Sequence, residues 1–362
     1  MPDPMLLDPL RRQETEREAM AARLDRATDR PSPDPQAAER PCMHDPHAAH
    51  RFVDEGTADA VAGHVRWNPV RSAWNGSAMV VTLIAGPLTV TPGALALFAA
   101  LTGAGLLLGH SVGFHRRLIH GSFACPLWLE RVLAWFGTTV GMGGPLWMMR
   151  AHDLRDWAQR LPACHDYLRH GRSPLVDAWW QLHCRLVLDH PPRFDQGRVG
   201  RDPVYRLLEA TWAWQQLPIA AACWWAGGWG FVVWGVAARV FASAHGHWLI
   251  GWLAHNRGPQ TWLVAGSGVQ AHDVPWAGVV TMGEAWHNNH HAWPASAKLG
   301  VYPGQSDWGF AFIRLLERVG LAWDVRTPES LPARDVLRPA FHSLPQAREG
   351  SAITPTPSSA AR

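Results

Sequence analysis

Apolar residues gather in two long tracts of this 362-residue chain, flanked and separated by polar, arginine-rich stretches. The first tract covers positions 77–112 and is interrupted at Gly86-Pro87 and at Pro92-Gly93. A helix rises about 1.5 Å per residue, so roughly 20 apolar residues cross a bilayer. The tract therefore fits two membrane helices joined by a short uncharged turn. The second tract covers positions 213–254 and breaks at Gly227-Gly228-Trp229-Gly230. It too fits two crossings with an uncharged turn. Positions 126–149 are apolar but interrupted by Glu130, Arg131 and glycines, which predicts an interfacial or re-entrant segment. The expected fold is all-α and integral to a membrane: about four transmembrane helices in two hairpins, with a helical cytoplasmic cap. Arg239 falls inside the fourth crossing, where a charge must face protein or water.

The polar ends set the domain limits. Residues 1–70 form an Asp-, Arg- and Pro-rich tail, 71–322 the membrane domain, and 323–362 a Pro-, Ser- and Ala-rich tail. Neither tail carries a sustained apolar period, so both are expected to be largely disordered. Met1 to Arg12 show no apolar signal core, so the internal helices are expected to direct insertion.

Composition sharpens the picture. Tryptophan is abundant, at 22 residues, and only 17% of residues are charged, as suits a chain that meets the bilayer interface. The mean hydropathy of −0.13 conceals this because the ends dilute the middle. Arginines crowd the segments outside the tracts, from Arg116 and Arg117 through Arg150, Arg155 and Arg160 to Arg206. The positive-inside tendency puts those segments, and both termini, in the cytoplasm. No basic block alternates with exposed aromatics, so no nucleic-acid surface is expected. Five scattered cysteines without CxxC pairs argue against a disulfide framework or a thiolate zinc site.

The chemistry lies in histidine. His287, His290 and His291 stand at i, i+3 and i+4, one face of a helix. Imidazole suits iron, zinc, copper and nickel, so that face is expected to be half of a coordination sphere. The rest must come from elsewhere: His115 and His120 in an HxxxxH element, His152 in His152-Asp153-Leu154-Arg155-Asp156, and His255 in His255-Asn256-Arg257-Gly258. If each helical pair crosses and returns, all four clusters emerge on one side of the membrane and can share one site.

With these motifs, residues 75–320 resemble the membrane-bound acyl-CoA desaturase family of fatty acid desaturases. That family carries HxxxxH, HxxHH and a second HxxHH, with an extra histidine before the last box. His115 to His120 match the first box, His287, His290 and His291 the last, and His255 the extra histidine. The middle box departs: His152 fits, but Arg155 and Asp156 hold the two places where histidines are expected. Arginine cannot ligate iron; Asp156 can. Three outcomes follow from the departure. Asp156 replaces an imidazole, or His165 or His170 swings in, or one metal position is weakened.

The resemblance implies a non-haem di-iron centre, O₂ as co-substrate and a cis double bond introduced into a saturated acyl chain carried on CoA or a lipid. It implies the ligand set His115, His120, His152, Asp156, His255, His287, His290 and His291, with Arg150 facing the acyl donor's headgroup. Glu284 or Asp273 is a candidate to orient a ligand ring. The chain shows no haem, flavin or iron–sulfur signature, so a separate electron donor is expected, a ferredoxin or a cytochrome with its reductase. The expected location is a bacterial inner membrane with the metal site on the cytoplasmic side. Two other readings stay open: a lipid or alkane hydroxylase of the same histidine-box class, and a non-catalytic protein that binds metal or lipid.

Overall fold

A computed structural model describes residues 51–53 and 56–340. The remainder of both predicted tails, and with it their expected disorder, lies outside the described residues. The chain is mostly helical. Strand β1 (Gly63–Trp67) leads into helix α1 (Pro69–Leu88), α2 (Pro92–Ile119), α3 (Leu127–Thr139), α4 (Pro145–Arg160) and α5 (Pro174–His183). Strand β2 (Cys184–Leu188), helix α6 (Pro203–Ala210) and the long α7 (Gln216–Asn256) follow. Strand β3 (Trp262–Val264), the short α8 (His287–Ala292), α9 (Trp308–Arg318) and strand β4 (Leu337–Pro339) complete it.

Two antiparallel ladders, β1 with β2 and β3 with β4, join segments far apart in sequence. Strands of three to five residues carry too little alternation to be seen in the sequence. The ladders draw parts of the polar ends into the fold. Arg51 also reaches in, donating to both carboxylate oxygens of the buried Asp153 at 2.7 and 2.5 Å.

Helices α2 and α7 are long and apolar enough to cross a membrane. Only 22% and 17% of their most apolar windows are buried, where the core helix of a soluble protein would be mostly covered. Exposed Leu83, Ile84 and Leu88 on α1 and Trp224, Trp225 and Trp229 on α7 extend this apolar outer surface. The break before α2 has a local cause: Thr91 caps the helix by accepting from the Ala94 amide at 3.1 Å, and Pro92 follows at its first turn. Inside α7 the backbone leaves helical geometry at Gly227 and Gly228, the latter at φ 68°.

Arg239 faces protein. It is 2% exposed and donates to Gly235 O at 2.7 Å, to Thr139 O and to the Gln216 side-chain oxygen. Three acceptors from separate segments replace the water such a group would otherwise need.

The inner half of α2, Gly105–Ile119, is π-helical. That wide turn is packed tightly against α3. A Cβ on Gly109 would collide with the backbone of Phe136 and Gly137, whereas one on Gly103 would meet nothing within 4 Å. Phe114 and Leu118 pack with Met149 of α4 and Tyr205 of α6. Val112 packs on Leu133 of α3 and Ile313 of α9. The inner end of α2 is thus held from both sides.

Gly109→Ala is expected to force α2 from α3 and destabilise the protein by about 1–3 kcal/mol or more. Gly103→Ala is expected to be neutral or to stabilise by up to about 1 kcal/mol. Thermal unfolding midpoints of the two variants in detergent check this; equal shifts would contradict the close approach.

Candidate metal centre

Seven histidines converge in two groups. His115, His120, His152 and His290 form the first, and His255, His287 and His291 the second. Within each group one ligand atom from every residue lies within 4.8 Å of all the others. Ring centroids in the first group are 4.5–6.2 Å apart, and in the second 4.6–5.6 Å.

The first pair depends on the π-helix. In an α-helix, residues i and i+5 point about 140° apart. A π-turn closes i to i+5. The His120 amide accordingly donates to the His115 carbonyl at 3.0 Å, and the two rings come within 4.8 Å. The HxxxxH spacing matches the local helix type.

The last box does not present its three rings to a single sphere, as its spacing predicts. Residues 287 and 291 lie about 40° apart around α8, with 290 on the other side of 287. His287 and His291 enter the second group, their Nε2 atoms 3.1 Å apart, while His290 enters the first. A helix of six residues therefore links the groups. It is clamped at every side. Asp273 accepts from the Asn288 amide at 2.9 Å at its start. Arg334 donates to the His291 and Ala292 carbonyls at its end, at 2.5 and 2.8 Å. Asn288 satisfies four backbone groups with its side chain, at Thr261, Trp262 and Ala271. Asn289 donates to Leu299 O and to Gln305. Burial pushes the Asp273 carboxyl up to about 7, against the hydrogen bonds from the helix start.

Partners outside the groups fix the rings. Glu284 lies 2.5 Å from His115 Nδ1 and accepts from Ser111 at 2.6 Å. Burial opposes its charge, but His115 and Arg116 outweigh that and hold the carboxyl well below its usual range. Arg116, 1% exposed, joins Ser111 and Asp307, and Asp307 in turn caps α9 at Phe310. Among the positive-inside arginines, Arg116 is thus a structural group. His255 Nδ1 points to Gly251 O at 2.8 Å. This is the outer arrangement that sets a ligand ring's tautomer.

Several buried nitrogens have no such partner. His120 Nε2 and His152 Nδ1 are buried without a hydrogen bond among the described residues. Burial, reinforced by neighbouring imidazoles, lowers His120, His287 and His290 well below the ordinary value, and His152 to about 3. Burial likewise takes His291 to about 4. Neutral rings with bare nitrogens, gathered within a few ångströms, fit transition-metal ions.

The middle box behaves differently. Asp156 belongs to neither group and is gripped by Arg160, one turn on, at 2.9 and 3.0 Å. Burial would raise its pKa, but the charges of Arg160 and His152 bring it down to about 2. Arg155 turns away from both groups and donates to His170 Nε2 and to Gln181. The other nitrogen of His170 is held by Asp177 at 2.8 Å, so neither is open to a metal. His165 accepts from the Tyr167 amide and lies beside Trp180. Arg150 is half-exposed, 3.6 Å from Glu209. Sequence reasoning missed Asn288, Asn289, Asp307 and Gln159, which touches His255. Their only sequence signal is proximity to a box, or helical spacing from one.

Known proteins similar to this chain are acyl-CoA and acyl-lipid desaturases. No family model matches the chain. An acyl-CoA 5-desaturase of Anemone leveillei is 30% identical over 260 residues, covering 70% of this chain and 78% of the relative. An sn-1 stearoyl-lipid 9-desaturase of Anabaena variabilis is 33% identical over 225 residues, covering 60% and 79%. Delta-9 acyl-lipid desaturase 1 of Arabidopsis thaliana is 31% identical over 236 residues, covering 63% and 73%.

Two outcomes follow. Glu284→Gln is expected to weaken metal retention against a chelator by about 10- to 100-fold, because His115 loses its charged partner; unchanged retention would contradict that role. In metal-stripped protein the unfolded chain binds protons from about pH 6.5 downward, while His152 and His291 resist them until about 3 and 4. Stability therefore falls as pH drops through that window. The unfolding midpoint should decline steadily from pH 6.5 to 4.5, and a flat profile would contradict neutral buried rings.

Proposed function

The chain belongs to the acyl-CoA and acyl-lipid desaturase family, and from that premise we propose the particulars of its reaction and site. It is an oxidoreductase that desaturates fatty acyl chains on paired donors, with O₂ as acceptor. The product is a cis double bond in a saturated chain, made in unsaturated fatty acid biosynthesis. The substrate is acyl-CoA or a lipid-linked acyl group; relatives named for each are similar to this chain.

Two non-haem irons sit in the two histidine groups: one with His115, His120, His152 and His290, the other with His255, His287 and His291. Asp156 stays near both as a charge compensator paired to Arg160, or exchanges that partner for a metal. Iron bound there supplies the O₂-derived oxidising power that an unactivated methylene requires. The protein's part is to hold neutral imidazoles in place, keep their second nitrogens occupied and exclude water. Arg150 meets the polar end of the acyl donor as a cation.

Four crossings form two hairpins, α1 with α2 in the first, and in the second the tract of positions 213–254 turning at Gly227-Gly228. The arginine-rich cap, the metal site and both termini then face the cytoplasm of a bacterial inner membrane. Electrons come from a ferredoxin or a cytochrome with its reductase, docked on that basic face. One observation carries the reading: two groups of imidazoles, the first with the bare ring nitrogens His120 Nε2 and His152 Nδ1, bridged by a single clamped helix at the inner ends of apolar helices.

The test is expression of the full chain in a host with matched electron partners, beside His287→Ala, with mass spectrometry of total acyl chains. Chains lighter by two hydrogens with the unmutated chain alone are the expected result. A gain of one oxygen would move the assignment to hydroxylation, and an unchanged profile would count against turnover.

A further inference from the structure

We propose that Gln159 is a metal ligand of the second group, its side-chain oxygen completing the set begun by His255, His287 and His291. This rests on the metal-binding reading above. The argument starts from which atoms carry protons. His255 Nδ1 lies 2.8 Å from the Gly251 carbonyl, which can only accept. The ring proton is therefore on Nδ1, and Nε2 presents a lone pair. The amide of Gln159 is fixed in the same way. Its nitrogen donates to the Leu168 carbonyl at 2.8 Å, so the oxygen is the atom turned toward His255. Gln159 Oε1 and His255 Nε2 then face each other at 3.1 Å, acceptor against acceptor, with Gln159 only 2% exposed.

Two lone pairs held this close away from water need a cation beside them. A metal ion answers the contact by accepting both lone pairs at once, and it engages His287 and His291 of the same group as well. Donors bound at about 2.0–2.2 Å to one ion stand about 3.0–3.5 Å from their neighbours. The His255–Gln159 separation of 3.1 Å falls there, and so does the 3.1 Å between His287 Nε2 and His291 Nε2.

The placement on α4 explains why glutamine does this work. Arg155 and Asp156 hold the two box positions that lack imidazole. Gln159 lies four residues beyond Arg155 and three beyond Asp156, on the same helical face as His152 and Asp156. The donor that the box lacks is supplied one turn later. His170, whose ring stacks on His255 at 5.3 Å, is excluded because Arg155 and Asp177 occupy both its nitrogens.

The test compares the full-length chain in detergent with Gln159→Leu and Gln159→Glu, reading iron per chain after a timed chelator challenge. Both variants lose the bond to Leu168, but only leucine removes the oxygen. A ligand role predicts that Gln159→Leu loses one of the two metals about 10- to 100-fold faster while Gln159→Glu retains both. Equal loss in both variants, or loss in neither, overturns the assignment. In cobalt-substituted protein the visible absorption of that site should shift in Gln159→Glu. An unmoved band overturns the assignment even where Gln159→Leu does not fold. A wild-type chain that binds neither iron nor cobalt overturns the metal reading itself, which separates the two failures.

Discussion

The rest of the structure depends on gathering seven imidazoles around two points, with His120 Nε2 and His152 Nδ1 left bare at the first. A buried polar atom without a partner costs about 1–3 kcal/mol. A fold that gathers several of them has to be held by strong contacts elsewhere, and gains them back when an ion binds. The clamps around the groups have this purpose. Asp273, Asn288 and Arg334 hold the linking helix by its backbone. Glu284, Ser111, Arg116 and Asp307 form a charged chain from His115 to the start of α9. None of these groups offers a ligand to either group of rings. They fix where the ligands point.

The apolar scaffold and the polar site meet at helix ends. His115 and His120 close α2, and His255 lies one residue from the end of α7. Outer surfaces rich in leucine, isoleucine and tryptophan suit lipid. The inner ends deliver histidines to a polar layer made by α4, α8 and the loops. The π-helical stretch makes the delivery possible, because it turns an i, i+5 spacing into neighbours. It lies where α2 approaches α3 most closely, at Gly109.

The sequence exposes the parts that repeat or stand out chemically. Apolar tracts broken at Gly227-Gly228 and before Pro92 foretell where the long helices interrupt. The histidine spacings single out the residues that converge in the two groups. Three features stay hidden. The division of the last box, two rings to one group and one to the other, depends on angles around α8 that spacing alone leaves open. The role of Arg116 was masked because a buried arginine and an interfacial one look alike in a basic run. Gln159 carries no motif, since glutamine is an ordinary helix residue, and only its fixed amide beside His255 marks it. The divergent middle box pointed to the correct helix, while its partners, Arg160 for Asp156 and His170 for Arg155, come from tertiary contacts.

The central claim is that the two groups are separate metal sites in one protein. Metal analysis of iron-replete, detergent-purified full-length chain tests it most directly, beside His120→Ala and His287→Ala. The account predicts about two irons in the wild type and about one in each variant, because each substitution breaks a different group. A wild-type chain without iron, or a single iron lost in both variants alike, would contradict it.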